Sequence, residues 1–122
     1  MRSRRPIMVV DDDDDVRKLL CMVLEGEGYT TVGAADGIEA LERMRSAPPA
    51  LVFVDLTMPR MDGEDLIRSM KDDALLADIP IAIISGQTHA LPAAVSIGTT
   101  RLVKPVELHE VLSVVDRYCH GK

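Results

Sequence analysis

The chain has 122 residues, with 20 Asp and Glu against 14 Lys and Arg, so its formal net charge is −6. That length is one domain, and with 47% apolar residues it can bury a core, which excludes a disordered chain. The longest apolar runs, such as 7–10 and 81–84, fall far short of the roughly 20 residues needed to cross a bilayer. An acidic chain also lacks the basic stripe that displaces counterions from nucleic-acid phosphates. Arg2, Arg4 and Arg5 resemble the start of a signal peptide, but neither an apolar stretch nor a small-residue cleavage site follows them. The expectation is a cytoplasmic protein that contacts neither nucleic acid nor membrane. Cys21 and Cys119 lie far apart without metal-ligand spacing and are expected to be buried apolar side chains.

In chain order, 7–10 is a short apolar run, as in a strand buried on both faces. From Val16 the spacing turns helical, with Val16, Leu19, Leu20, Val23 and Leu24 on one face, acids at the start and Gly26 and Gly28 at the end. A second strand is expected over 29–32. Asp36 can cap a helix whose apolar face carries Ile38, Leu41 and Met44, and Pro48-Pro49 stops it. A third strand over 51–54 ends at Asp55, and Pro59 and Asp62-Gly63 make a loop before a helical stripe of Leu66, Ile67 and Met70. A fourth strand over 80–84 ends at Ser85-Gly86. Residues 91–97 form a weak helix carrying Pro92, and 102–103 is a short fifth strand ending at Lys104-Pro105. A last helix over 106–118 turns Leu108, Val111, Leu112 and Val115 inward.

Five strand–helix units in sequence predict an α/β domain with a parallel sheet and right-handed crossovers. Such sheets bind ligands beyond the C-terminal ends of their strands. The residues expected at that edge are Asp11 and Asp12, Asp55, Ser85 and Lys104. Gathered carboxylates repel one another unless a hard divalent cation neutralises them, and oxygen donors suit Mg²⁺. A lysine and a hydroxyl beside them could hold a phosphoryl group, with Asp55 as the nucleophile, since an ionised carboxylate needs no separate base.

These residues resemble the receiver domains of two-component response regulators. The resemblance is carried by IMVVDDDDDVRKLL (7–20), AADGIEALERM (34–44), LVFVDLTMPRMDG (51–63), IPIAIISGQ (79–87) and LVKP (102–105), in order over nearly the whole chain. It implies a three-layer, doubly wound, five-stranded parallel sheet of flavodoxin-like order 2-1-3-4-5. It implies Asp55 as phosphoacceptor, with Asp11, Asp12, Asp55 and the main-chain carbonyl of Thr57 around Mg²⁺, or Mn²⁺ in its place. Ser85 and Lys104 would contact the phosphoryl oxygens, Thr57 and Gln87 would tune the lifetime of the acyl phosphate, and Lys104-Pro105 is often a cis peptide in this family. The implied donor is a phosphohistidine on a sensor histidine kinase or phosphotransfer protein. The implied output is a changed contact with a downstream protein whose identity no motif encodes, through the face of the fourth helix, fifth strand and fifth helix. The expected organisation is a single receiver domain over 1–122, core about 6–119, with no output domain, catalysing only its own phosphorylation and dephosphorylation.

Two departures stand out. Three residues before Lys104 the family places Tyr or Phe; here it is Arg101, whose guanidinium does not enter an apolar slot without a partner. The stretch from Ser85 to Lys104 is about three residues short and Pro92 falls where the fourth helix begins, so that helix is expected to be short or irregular. Asp13, Asp14 and Asp15 read as a solvated run capping the first helix, and His89, His109 and His120 lack ligand spacing. The alternatives to a phosphoaccepting switch are a pseudo-receiver that keeps the fold without the chemistry, and a haloacid dehalogenase-like phosphohydrolase. The latter requires a further acidic pair after the lysine, where only the separated acids Glu107, Glu110 and Asp116 occur.

Overall fold

The computed structural model describes residues 5–56, 63–86, 91, 93–96 and 98–119. Its elements are β1 (Ile7–Val10), α1 (Asp14–Gly26), β2 (Thr31–Ala34), α2 (Gly37–Ser46), β3 (Leu51–Asp55), α3 (Gly63–Asp72), β4 (Ile81–Ser85), α4 (Ala93–Ser96), β5 (Thr99–Val103) and α5 (Leu108–Cys119). The strands form one parallel sheet in the order β2-β1-β3-β4-β5. The expected fold class and strand order are both present.

Alternation along the central strands divides the core. Met8, Val10, Val52, Val54 and Ile83 pack against α2, α3 and α4, whereas Ile7, Val9, Phe53 and Ala82 pack against α1 and α5. This two-sided burial makes β1 and β3 continuous apolar runs in the sequence. Phe53 is the largest fully buried side chain among the described residues, 1% exposed, in a mostly aliphatic core. Phe53→Ala is expected to cost about 3–5 kcal/mol in urea-induced unfolding. A loss below about 1 kcal/mol would mean that the α1/α5 layer collapses around the vacancy.

The helix faces differ from expectation at their N-terminal ends. Val16, Leu19, Ile38 and Leu108 were expected to face inward but are 48%, 61%, 74% and 51% exposed. Each sits in the first turns of a helix that follows a strand, at the C-terminal edge of the sheet. The 13 residues of α1 span roughly 20 Å, against roughly 13 Å for the four residues of β1. The helix therefore overhangs the sheet, and only its later apolar residues, Leu24 above all, reach the core.

Boundaries shift where turn chemistry intervenes. Gly28, at φ 95°, ends α1 in a left-handed turn, with Gly28 N donating to Glu25 O and Tyr29 N to Leu24 O. β2 accordingly begins at Thr31 rather than at 29, and Tyr29 is a buried lead-in. β5 extends back to Thr99 because an edge strand tolerates the polar run Thr99-Thr100-Arg101, which hid it from an apolar search. α4 is a single turn, as short as the sequence predicts. Lys71 Nζ donates to Val95 O at 3.2 Å and Thr99 Oγ1 to Ser96 O at 2.7 Å near its end. Pro92 lies outside the described residues. Cys119 is buried and Cys21 half-buried, and both join the α1/α5 core. No helix among the described residues is long and apolar enough to cross a membrane.

Candidate functional site

Parallel pairing brings the C-terminal ends of β1, β3, β4 and β5 to one edge. Asp55 closes β3 and is 6% exposed, and Ser85 closes β4 and is 2% exposed. Lys104 follows β5; its amide donates to Ser85 O at 2.8 Å and its peptide bond to Pro105 is cis, as the resemblance implies. Its ammonium donates to Asp55 Oδ2 at 2.8 Å. The lysine side chain is 42% exposed and that of Asp55 only 8%, so a partly exposed cation stands over a buried carboxylate.

The loop after β1 brings the other acids. Asp11 N donates to Ala34 O at 3.1 Å, and Asp11 Oδ1 accepts from Asp13 N at 2.9 Å. Asp13 in turn caps α1, accepting from the amides of Asp15 and Val16, so the expected capping role of this acidic run is present. Asp12, half-buried, lies between these fixed points.

Asp11 is 6% exposed. Burial pushes its carboxyl from 3.8 up to about 6, and the charge of Asp55 and a side-chain hydrogen bond with it add to the rise, against the Asp13 amide and Lys104, which favour the ionised form. Between these two values the folded protein binds more protons than the unfolded chain. Stability from this group is therefore complete below about 3.8 and is lost as the pH rises through about 6. We expect the metal-free protein to lose stability across that window, and Asp11→Asn to flatten the slope in chemical denaturation at stepped pH. Equal slopes would contradict the burial-driven rise of the Asp11 carboxyl.

The donors here are carboxylate oxygens, hard ligands of the kind a divalent cation such as Mg²⁺ takes. Two buried acids sharing one lysine carry more negative charge than the lysine offsets, so the residues fit such an ion. Among the described residues no three His, Cys, Asp or Glu side chains already converge; a cation would complete its shell with water. Thr57 and Gln87 lie outside the described residues. Arg101 is half-buried in β5 beside Ile83, with its Nε shielded from solvent. Ile83 belongs to the α2/α3/α4 core, so Arg101 stands on that face and not in the acidic pocket. Of the histidines, His109 is exposed beside Glu107 at 3.4 Å, and His89 and His120 lie outside the described residues.

Two features escaped the sequence reading. Arg17 reaches the main chain of Asp11, its Nη1 donating to Asp11 O at 2.7 Å. The overhanging helix starts leave an open groove of about 980 Å³ that runs from Asp11, Asp12 and Asp55 between Val16 and Leu19 on one side and Pro105, Val106 and Leu108 on the other. Helix length against strand length was the available signal for the groove.

Comparison with known proteins places this geometry in a family. The response regulator receiver domain model matches residues 7–116. Sporulation initiation phosphotransferase F of Bacillus subtilis is 32% identical over 115 residues, covering 92% of this chain and 91% of that protein. The DNA-binding response regulator MtrA of Mycobacterium tuberculosis is also 32% identical over 115 residues, but the chain spans about half its length, 49%. The solved structure of the chemotaxis protein CheY4 of Vibrio cholerae superposes with a TM-score of 0.83 at 26% identity, over 95% of this chain and 99% of that one. The chain belongs to the response regulator receiver domain family.

Proposed function

We propose that the chain accepts a phosphoryl group on Asp55 from a phosphohistidine of a sensor histidine kinase or a phosphotransfer protein in the cytoplasm. The observation that carries this reading is the 2.8 Å contact of Lys104 Nζ with the buried Asp55 carboxylate, beside Asp11 at one sheet edge. A carboxylate oxygen of Asp55 forms the new P–O bond as the P–N bond to imidazole breaks, and the departing imidazole nitrogen takes its proton from solvent. Phosphoryl transfer of this kind asks the protein chiefly for positioning and charge stabilisation. Lys104 stabilises charge on the transferring oxygens, and the Ser85 hydroxyl donates to one of them. By the family resemblance Asp11, Asp12, Asp55 and the Thr57 carbonyl would hold Mg²⁺, or Mn²⁺ in its place, which would supply positive charge to offset the phosphoryl and carboxylate charges. Thr57 and Gln87 are the positions that, by the resemblance, would tune how long the acyl phosphate persists.

The groove beside the site provides the partner's footing. Leu19 and Leu108 offer apolar contact next to the acceptor, so that the donor histidine arrives over Asp55. Output is a change in protein contacts, and Arg101 sets a half-buried guanidinium in β5 where the family places an aromatic ring. The chain consumes one phosphoryl group per cycle and is not a multiple-turnover enzyme.

The test is transfer from a radiolabelled, autophosphorylated histidine kinase panel, with a phosphoester turnover assay run in parallel. The expected result is label on this chain in the presence of Mg²⁺ and no sustained turnover. No label from any kinase or from acetyl phosphate would favour the pseudo-receiver, and sustained turnover would favour a phosphohydrolase.

A further inference from the structure

Asp12 has its neighbours fixed on both sides. Before it, the Asp11 amide is held by Ala34 O and the Asp11 carboxylate by Asp13 N; after it, Asp13 is committed to capping α1. The plane of the peptide between Asp11 and Asp12 is set by what holds the Asp11 carbonyl. That holder is Arg17, whose Nη1 donates to Asp11 O at 2.7 Å while Nη2 bonds the Asp14 carboxylate. A guanidinium fork bound at both prongs has little freedom to turn, and its bond to the carbonyl is charge-assisted and so stronger than a neutral one.

The arginine reaches back because of a missing atom on β2. Its side chain is only 15% exposed and its stem lies across Gly33. A Cβ there would stand 3.0 Å from Arg17 Cδ and 3.3 Å from Nε. Gly33 is not among the glycines with positive φ, so the backbone permits alanine, and the added Cβ would require the Arg17 stem to give by a few tenths of an ångström. That displacement shifts the fork relative to the Asp11 carbonyl.

We propose that Arg17, seated over Gly33, is a positioning residue that orients the Asp11–Asp12 peptide and so presents the Asp12 carboxylate to the divalent cation. This rests on the reading of the pocket as a Mg²⁺ site and adds to it two residues that touch neither ion nor phosphoryl group. Charge and positioning predict opposite signs. By charge alone, removing a cation near the acids strengthens binding of a divalent cation; by loss of positioning it weakens it, as mutation of groups behind metal ligands does by about 10- to 100-fold.

The experiment is calorimetric Mg²⁺ titration of wild type, Arg17→Ala, Arg17→Lys, Gly33→Ala and the Arg17→Ala/Gly33→Ala double variant, each checked for cooperative unfolding. We expect Arg17→Ala to weaken Mg²⁺ binding about tenfold. Arg17→Lys, which keeps the charge and loses the fork, should fall below wild type as well. Gly33→Ala should weaken binding in the wild-type background and change nothing once Arg17 is alanine, a coupling that simple destabilisation does not produce. Unchanged or tighter binding by Arg17→Ala overturns the proposal, as does an equal effect of Gly33→Ala in both backgrounds. Should Arg17→Ala fail to fold, Gly33→Ala against wild type and Arg17→Lys decides on the same criterion. A wild type that binds no Mg²⁺ overturns the pocket reading and this proposal together, whereas a wild type that binds with variants that bind equally overturns this proposal alone.

Discussion

Replacing Asp55 with asparagine is expected to leave a folded protein that takes up no phosphoryl group from acetyl phosphate or from a kinase. The amide keeps the size of the carboxylate at the end of β3, so packing against Ile84, its register partner on β4, is preserved. It removes the negative oxygen that attacks phosphorus, on the carboxylate that accepts the Lys104 ammonium at 2.8 Å. Asp11, the nearest rival, is pushed up to about 6 by burial and by Asp55 itself. Removing Asp55 relieves that like-charge contact, which offsets the loss of an ion pair whose lysine side is 42% exposed and therefore weak. Midpoints of chemical denaturation at pH 8 should be no lower for Asp55→Asn than for wild type. A variant that fails to unfold cooperatively would show that the Lys104–Asp55 contact holds the sheet edge together rather than serving the chemistry.

Lys104→Ala is the second large effect. Its ammonium is bonded to the acceptor carboxylate at 2.8 Å, and removing one preorganised donor from a charge-developing centre costs about 10²- to 10³-fold in rate. We expect phosphorylation by acetyl phosphate to slow at least about a hundredfold, with Mg²⁺ affinity retained or raised because a competing cation has gone. Lys104→Arg should recover only part of the rate, since a planar fork replaces a compact point charge. A Lys104→Ala protein that is phosphorylated at the wild-type rate would remove the lysine from the chemistry. One that also loses Mg²⁺ affinity would assign it to building the pocket.

The strands and the gathering of Asp11, Asp55, Ser85 and Lys104 at one edge followed from sequence because buried parallel strands are continuous apolar runs with turn residues at their ends, whereas the strand order followed only from the resemblance to receiver domains. Features governed by tertiary geometry did not follow. Val16, Leu19, Ile38 and Leu108 keep helical spacing yet stand beyond the sheet, since periodicity reports which residues share a stripe and not how far the stripe extends past its partner. β5 was shortened to two residues because an edge strand can be polar at Thr99, Thr100 and Arg101. The link from Arg17 to Asp11 was invisible, since it joins a side chain to a main-chain carbonyl across the space over Gly33. What Arg101 does to the output face is likewise a question of its partner, and Arg101→Ala should alter binding to an acidic target.

Intact-mass spectrometry after incubation with acetyl phosphate and Mg²⁺, on wild type and Asp55→Asn side by side, bears most directly on whether this edge is a phosphoacceptor site. One phosphoryl group per wild-type chain, mapped to the peptide that contains Asp55 and absent from Asp55→Asn, is the predicted result. An adduct of equal stoichiometry on both proteins would contradict it.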